Sequence, residues 1–127
     1  MNYETIKVLI CDDSVFARTG LKQALLSFGI NIIIEASDGK EAVDKYVENK
    51  PDIVFMDTVM PEITGTEALK AILAVDCKAK VVMLSSFGTQ ENLKEAINIG
   101  ACDFIQKPIT DDKLREFFKS FEKNTSC

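Results

Sequence analysis

The sequence feature that most constrains the fold is a short apolar run that ends on a carboxylate, Ile-Val-Phe-Met-Asp at residues 53–57. A run of this length, followed closely by Pro61, is typical of a β-strand that is buried on both faces. Such strands occur in parallel sheets covered by helices on both sides. Ligands bind these sheets at the carboxyl ends of the strands, where the loops leave a crevice. The sequence therefore predicts a parallel sheet with Asp57 at its functional edge.

Four further strand patterns alternate with helix patterns along the chain. The strands are predicted at residues 7–11, 30–35, 80–85 and 102–107. The first helix is predicted at about residues 15–28, and the later ones follow the N-cap residues Asp38, Thr64, Thr89 and Thr110. Five alternations predict a doubly wound α/β domain, a (βα)5 three-layer sandwich around a five-stranded parallel sheet with right-handed crossovers.

Apolar residues at helical spacing predict which side of each helix faces the core. The side chains predicted to face inward include Val15, Leu21, Leu25 and Phe28, then Ala42, Val43, Tyr46 and Val47, then Leu69, Ile72 and Leu73, then Leu93, Ala96 and Ile97. In the last helix the stripe of Leu114, Phe117, Phe118 and Phe121 is predicted to be core rather than an interface.

Length and charge restrict the classes of function. The 127 residues, 46% of them hydrophobic, fit a single domain spanning residues 1–127. The net charge is -5 and no basic run occurs, which argues against direct binding to nucleic acid. No apolar stretch approaches the roughly 20 residues of a spanning helix, and the N-terminus does not resemble a signal peptide, so we expect a cytoplasmic protein without membrane insertion.

Histidine is absent from the sequence, and the four cysteines follow no metal-binding spacing. The chain therefore lacks the commonest general base and metal ligand. Cys11 and Cys102 fall in apolar stretches, which predicts free buried thiols, with redox sensing as the alternative. Any chemistry must depend on carboxylates, hydroxyls and lysines.

Residues of these types follow four of the predicted strands. They are Asp12 and Asp13, Asp57, Ser85, and Lys107. Because the ends of parallel strands meet at one edge, we expect these side chains to converge there. Crowded carboxylates repel one another and favour a hard cation such as Mg²⁺. A lysine and a hydroxyl beside them suit a phosphoryl group, whose transfer depends mostly on positioning and charge neutralisation.

The same residues resemble the response-regulator receiver family. The similarity extends in order from Asp12-Asp13-Ser14 through Asp57, Met60-Pro61 and Gly65 to Ser85-Ser86, and on to Gly100-Ala-Cys-Asp-Phe104 and Lys107-Pro108. It covers nearly the whole chain. Among receivers, the stand-alone CheY-like chemotaxis regulators resemble it most. The resemblance implies a CheY-like, flavodoxin-like fold and a phosphorylation-operated switch rather than an enzyme.

The resemblance also implies a role for each site residue. Asp57 would accept a phosphoryl group from a histidine kinase or a small phosphodonor. Asp13, Asp57 and the backbone carbonyl of Val59 would bind Mg²⁺ directly, and Asp12 would act through metal-bound water. Lys107 and Ser85 would bind the phosphoryl oxygens. Phe104 would turn inward when Ser85 moves. The alternative role for Phe104 is that of a permanent core residue.

The resemblance also has implications for the binding partners and for the lifetime of the phosphoryl group. The fourth helix, fifth strand and fifth helix, around residues 89–119, would form the face that binds a downstream target. Val59 and Phe87 would border the path of the hydrolytic water, and neither side chain can orient water. We therefore expect slow self-dephosphorylation, with a phosphatase as a further candidate partner.

Three alternatives remain open at this point. An aspartyl-phosphate hydrolase of the haloacid dehalogenase type also uses a strand-terminal Asp, but Val59 stands where that family has a second Asp. A nucleotide-binding flavodoxin-like module is disfavoured because no glycine-rich phosphate loop follows a strand. The chain could also be a receiver excised from a longer regulator with its own output domain.

Overall fold

Strands and helices alternate along the chain in the computed structural model. It describes residues 3–58, 60, 63–85 and 90–123, apart from the side chains of 90–93, 122 and 123. Within these residues the strands are β1 (Lys7–Cys11), β2 (Ile32–Ala36), β3 (Ile53–Asp57), β4 (Val81–Ser85) and β5 (Asp103–Gln106). The helices are α1 (Val15–Ser27), α2 (Gly39–Asn49), α3 (Gly65–Val75), α4 (Gln90–Ile99) and α5 (Asp111–Lys123). None of these helices is long and apolar enough to cross a bilayer.

The strands form one parallel sheet in the order β2-β1-β3-β4-β5. All residues of β3 and β4 are buried, as expected for strands covered on both faces. The predicted doubly wound α/β fold is confirmed.

Two hydrophobic cores lie on opposite faces of the sheet, because successive side chains along a strand point in opposite directions. One core packs Leu9 and Met56 against α2, α3 and α4, and the other packs Ile10 and Phe55 against α1 and α5. The Leu114, Phe117 and Phe118 stripe is buried in the second core, with Phe121 packed against it. The prediction that this stripe belongs to the core is confirmed.

Local capping explains where several elements begin and end. The Asp38 side chain accepts a hydrogen bond from the Glu41 amide at 2.8 Å, and the Thr64 hydroxyl accepts one from the Glu67 amide at 3.2 Å, so both predicted caps are confirmed. The strand β2 begins two residues later than predicted because Ile30 completes the cap of α1. Its amide donates to the carbonyl of Leu25 while Gly29, at φ 93°, donates to that of Leu26.

Of the predicted inward-facing side chains that the structure describes, three are exposed instead, and the side chain of Leu93 lies outside the described part. The three exposed side chains are Val15, Val47 and Ile97. Val47 and Ile97 each follow a buried residue, so they lie about 100° around the helix from the buried stripe. Val15 begins α1 at the carboxyl edge of the sheet and is 67% exposed.

The cysteines differ in their surroundings. Cys11 is buried and free, and burial raises the pKa of its thiol. Cys77 is free but exposed, whereas Cys102 is half-buried and disulfide-bonded. The prediction of free buried thiols is therefore right for Cys11 and wrong for Cys102.

Candidate functional site

The strand register brings two buried carboxylates together at the carboxyl edge of the sheet. Cys11 of β1 pairs with Met56 of β3, so Asp12 and Asp57 follow on neighbouring central strands. Asp12 is 2% exposed and Asp57 is 5% exposed. Two buried acids so close together need a positive charge nearby, because their mutual repulsion is strong where water is excluded.

The loop after β1 adds a third carboxylate and begins α1. The Ser14 amide donates to Asp12 Oδ1 at 3.0 Å, and the Ser14 hydroxyl accepts from the Ala17 amide at 3.2 Å as the N-cap. Asp13 between them is exposed. Carboxylate oxygens of Asp12, Asp13 and Asp57 all lie within 4.8 Å of one another, so this group could hold a metal ion.

Lys107 supplies a positive charge to two of these acids. Its Nζ lies 2.8 Å from Asp12 Oδ2 and 3.5 Å from Asp57 Oδ2. Burial alone would lower the pKa of Lys107, but the hydrogen bond to Asp12 and the charges of Asp57 and Asp12 outweigh it and raise the pKa. The ammonium group therefore stays charged at neutral pH.

Ser85 ends β4 at the same edge of the sheet. The residue before it, Leu84, pairs with Asp57, and Ser85 itself is buried. Its carbonyl accepts a hydrogen bond from the Lys107 amide at 2.7 Å. The predicted convergence of Asp12, Asp13, Asp57, Ser85 and Lys107 at one edge is therefore present in the structure.

Comparison with known protein families decides what kind of protein carries this site. A model of the response regulator receiver domain matches residues 8–119, most of the chain. The chain belongs to the response regulator receiver family. It is a signalling switch of the receiver type and not a conventional enzyme.

Individual relatives match this receiver over almost their whole length. The chain is 44% identical to the chemotaxis protein CheY of Thermotoga maritima over 117 residues, which are 92% of this chain and 98% of that protein. It is 43% identical to CheY of Bacillus subtilis over 110 residues, 87% of this chain and 92% of that one. A crystal structure of a CheX–CheY–BeF3–Mg²⁺ complex from Borrelia burgdorferi matches with a TM-score of 0.88 and 39% identity, covering 96% and 95% of the two chains.

Phe104 lies on β5 and is 47% exposed in this receiver. It pairs with Met83 of β4, two residues before Ser85. The alternative that Phe104 is a permanent core residue is therefore wrong. Its predicted movement as a switch stays a prediction.

Other predicted residues lie outside the described part of the receiver. They are Val59 and Phe87, assigned to the lifetime of the phosphoryl group, and Ser86 and the cap Thr89. The proposed backbone ligand at Val59 is among them.

Gly65 lets α3 begin directly against the backbone that carries Asp57. Its amide donates to the Thr58 carbonyl at 3.1 Å. A Cβ at this position would overlap the carbonyl oxygen of Asp57. The sequence indicated Gly65 only as part of the family motif and gave no physical reason for it.

Arg18 is a supporting residue that the sequence analysis missed. Its Nη1 donates to the main-chain carbonyl of Asp12 at 2.6 Å, and its Nε lies 3.3 Å from Glu35 Oε1. Lys22 approaches the other oxygen of Glu35 at 3.6 Å. Arg18 thus fixes the start of the acidic loop to α1 and β2. The signal available in the sequence was an arginine four residues after the N-cap Ser14. Its partner in β2 could not be identified from the sequence, because that contact depends on the order of the strands in the sheet.

We expect Arg18→Ala to lower the free energy of unfolding by about 1.5–3 kcal/mol, because the variant loses a mostly buried, charged hydrogen-bond donor. Urea denaturation of the variant and the parent protein measures the difference. Arg115→Ala is the matched control, since Arg115 and its partner Asp112 are both exposed and such pairs contribute within about 0.5 kcal/mol. Equal losses in the two variants would contradict this role of Arg18.

Proposed function

We propose that this receiver accepts a phosphoryl group on Asp57 in the presence of Mg²⁺ and then changes its affinity for a downstream protein. The carboxylate cluster of Asp12, Asp13 and Asp57, with Lys107 in contact with two of its members, carries the proposal. The relatives named chemotaxis protein CheY support a role in chemotaxis.

The chemistry of the donor atoms fits Mg²⁺. Three carboxylates whose oxygens lie within 4.8 Å of one another offer the hard oxygen ligands that this ion prefers. We propose that Asp13, Asp57 and the Val59 carbonyl would bind it directly and Asp12 through water. When bound, Mg²⁺ would neutralise charge on the phosphoryl oxygens. The presence of Mg²⁺ in the Borrelia complex supports this assignment.

The phosphoryl transfer itself would use Asp57 as the nucleophile. A carboxylate oxygen forms the new bond to phosphorus while the bond between phosphorus and the donor atom breaks. The bonding electrons leave with the donor, which is then protonated. Lys107 pairs with the phosphoryl oxygens, and the Ser85 hydroxyl donates a hydrogen bond to one of them. Each contact stabilises charge that grows during the transfer.

The donor and the target would be separate proteins. These 127 residues contain no histidine, and we propose that the phosphohistidine is supplied by a histidine kinase that would meet this receiver in the cytoplasm. For the target we propose the face of α4, β5 and α5. A groove of about 570 Å³ between β5 and α5, lined by Phe104 and Lys113 among others, supports this choice. A phosphatase would be a further partner, because apolar Val59 and Phe87 favour slow loss of the phosphoryl group.

Incubation with Mg²⁺ and acetyl phosphate, followed by intact mass spectrometry, tests the proposal. We expect labelling that stops at one phosphoryl group per chain, requires Mg²⁺, and is lost on treatment with hydroxylamine, as an acyl phosphate should be. Sustained hydrolysis of a generic phosphate ester would instead favour a hydrolase. A half-life of seconds for the purified phosphoprotein would refute the predicted slow loss of the phosphoryl group.

We also propose a single receiver domain at residues 1–127, which the length of the native gene product would test.

We expect Lys107→Met to have opposite effects on two properties of the site. The variant should bind Mg²⁺ several times more tightly, because the ammonium group no longer competes with the ion for Asp12 and Asp57. Its labelling by acetyl phosphate should slow by about 10- to 100-fold, because one charged contact to the phosphoryl group is lost.

Calorimetric titration with Mg²⁺ and the labelling rate measure the two effects of Lys107→Met. Lys78→Met is the control, since Lys78 is exposed and precedes β4, at the other edge of the sheet from the site. Weaker Mg²⁺ binding by Lys107→Met would mean that the lysine organises the site rather than competing with the ion.

A further inference from the structure

Two cations contact Asp12, but they contact different groups of this residue. Lys107 Nζ lies 2.8 Å from the carboxylate oxygen Oδ2, where it would compete with a metal ion. Arg18 Nη1 instead donates to the main-chain carbonyl at 2.6 Å, and the Arg18 side chain is only 13% exposed. Hydrogen bonds from a charged donor at such a distance are among the strong ones. Arg18 therefore holds the backbone of the acidic cluster, whereas Lys107 holds one of its carboxylates.

The carbonyl that Arg18 holds belongs to the peptide group between Asp12 and Asp13. A peptide group is planar and rigid, so fixing its oxygen also restricts where the Cα of Asp13 can lie. Asp13 is exposed, and its carboxylate must therefore be positioned through its own backbone. On the other side of Asp13, the Ser14 amide donates to Asp12 Oδ1 at 3.0 Å. The placement of the Asp13 carboxylate beside Asp57 thus depends on the hydrogen bond from Arg18.

Arg18 is itself anchored to the sheet. Its Nε lies 3.3 Å from Glu35 Oε1, and Glu35 on β2 pairs with Ile10 on β1. The planar guanidinium donates through separate nitrogen atoms in fixed directions, so one side chain connects the sheet to the acidic loop. Glu35 also offsets the positive charge that Arg18 brings near the carboxylates.

We propose that Arg18 is a positioning residue for Mg²⁺: by holding the Asp12 carbonyl it keeps Asp13 where its carboxylate can bind the ion together with Asp57. The inference rests on the proposed function. It also predicts an effect opposite to that of simple charge. Removing a positive charge near a cation site should tighten binding, as expected for Lys107→Met. Removing Arg18 should weaken binding, because a ligand that must first be ordered binds less well.

The variant Arg18→Met removes the donor and the charge but keeps a long apolar side chain on α1. We expect its dissociation constant for Mg²⁺, measured by calorimetric titration of the folded protein, to rise about tenfold. Labelling by acetyl phosphate should be slow at a Mg²⁺ concentration that half-saturates the parent protein. At saturating Mg²⁺ the rate should return to within about twofold of the parent rate, because Arg18 acts on the main chain of Asp12 and not on the transferred group.

A second variant, Arg18→Lys, keeps the positive charge. Its single ammonium group cannot replace the two fixed directions of the guanidinium, so we expect an intermediate weakening of Mg²⁺ binding, about threefold. Charge alone predicts no change in this variant. If Arg18→Met fails to fold, the Mg²⁺ affinity of Arg18→Lys decides the question.

The matched control, Tyr46→Phe, removes a hydrogen bond far from the acidic cluster. The Tyr46 hydroxyl donates to Asp76 Oδ2 at 2.9 Å, and Asp76 is the C-cap of α3, at the opposite end of that helix from Gly65. This variant should lose stability but keep Mg²⁺ affinity within about twofold of the parent protein.

Several results would overturn the proposal. They are tighter Mg²⁺ binding by Arg18→Met, unchanged affinity in the Arg18 variants, and a labelling defect in Arg18→Met that persists at saturating Mg²⁺. An equal loss of Mg²⁺ affinity in Tyr46→Phe would also overturn it, because reduced stability would then explain the effect. A parent protein that binds no Mg²⁺ or is not labelled by acetyl phosphate would refute the proposed function instead.

Discussion

Asp57→Asn should abolish labelling by acetyl phosphate while leaving the fold intact. The amide has nearly the shape of the carboxylate but is a poor nucleophile, and Asp57 is the acid at the end of the central strand β3. The parent protein should also be stabilised against unfolding by Mg²⁺, because the ion would bind only the folded cluster. Removing one of three carboxylates should weaken that stabilisation. Intact mass spectrometry and thermal unfolding with and without Mg²⁺ measure the two effects.

Asp52→Asn provides the matched control for Asp57→Asn. Asp52 precedes β3, so the same chemical change falls at the opposite end of the same strand, where the carboxylate accepts a hydrogen bond from the Lys7 amide at 2.8 Å. We expect this control to be labelled fully and to respond to Mg²⁺ as the parent protein does. A phosphoryl group on Asp57→Asn would mean that the acceptor is a different residue.

Gly65→Ala should lower the free energy of unfolding by at least about 3 kcal/mol, near the upper end of the usual cost of overpacking. The added methyl group would meet the carbonyl of Asp57 and the Cα of Thr58, which are backbone atoms without rotamers to adjust. The start of α3 must therefore move away from the end of β3. Because that backbone carries Asp57, we expect labelling by acetyl phosphate to slow as well. Urea denaturation and the labelling rate check these two expectations.

Gly20→Ala is the control for Gly65→Ala and should change stability in the opposite direction. Gly20 lies within α1 with nothing near its absent Cβ, so alanine should stabilise the protein by about 0.5–1 kcal/mol through its better helix propensity. If both variants were destabilised alike, backbone flexibility rather than space would explain the effect at Gly65.

The fold was predictable because periodicity and local capping agree along most of the chain. The buried run at residues 53–57 required a covered parallel strand, and the caps Asp38 and Thr64 determined where α2 and α3 begin. The predictions of inward-facing side chains that failed concern packing angles. Val47 lies only one residue beyond the buried stripe of α2, a difference that an apolar pattern does not resolve.

The site was predictable as a set of residues and less so as a set of contacts. Parallel strands bring their ends together, and this was sufficient to unite Asp12, Asp57 and Lys107 at one edge. The hydrogen bond from Arg18 to the Asp12 carbonyl depends instead on the position of β2 beside β1. Likewise the overlap that excludes a side chain at Gly65 depends on the distance between α3 and β3. Such contacts arise from tertiary geometry that residue spacing does not encode.

The two sides of the sheet next to the central strand β3 differ in their contacts. On the β2 side, the ion pair between Glu35 and Arg18 braces the loop that carries Asp12. On the β5 side, the outermost strand of the sheet has four residues and carries the half-exposed Phe104. We therefore expect a change of charge at Asp57 to displace the β5 side of the sheet more than the β2 side.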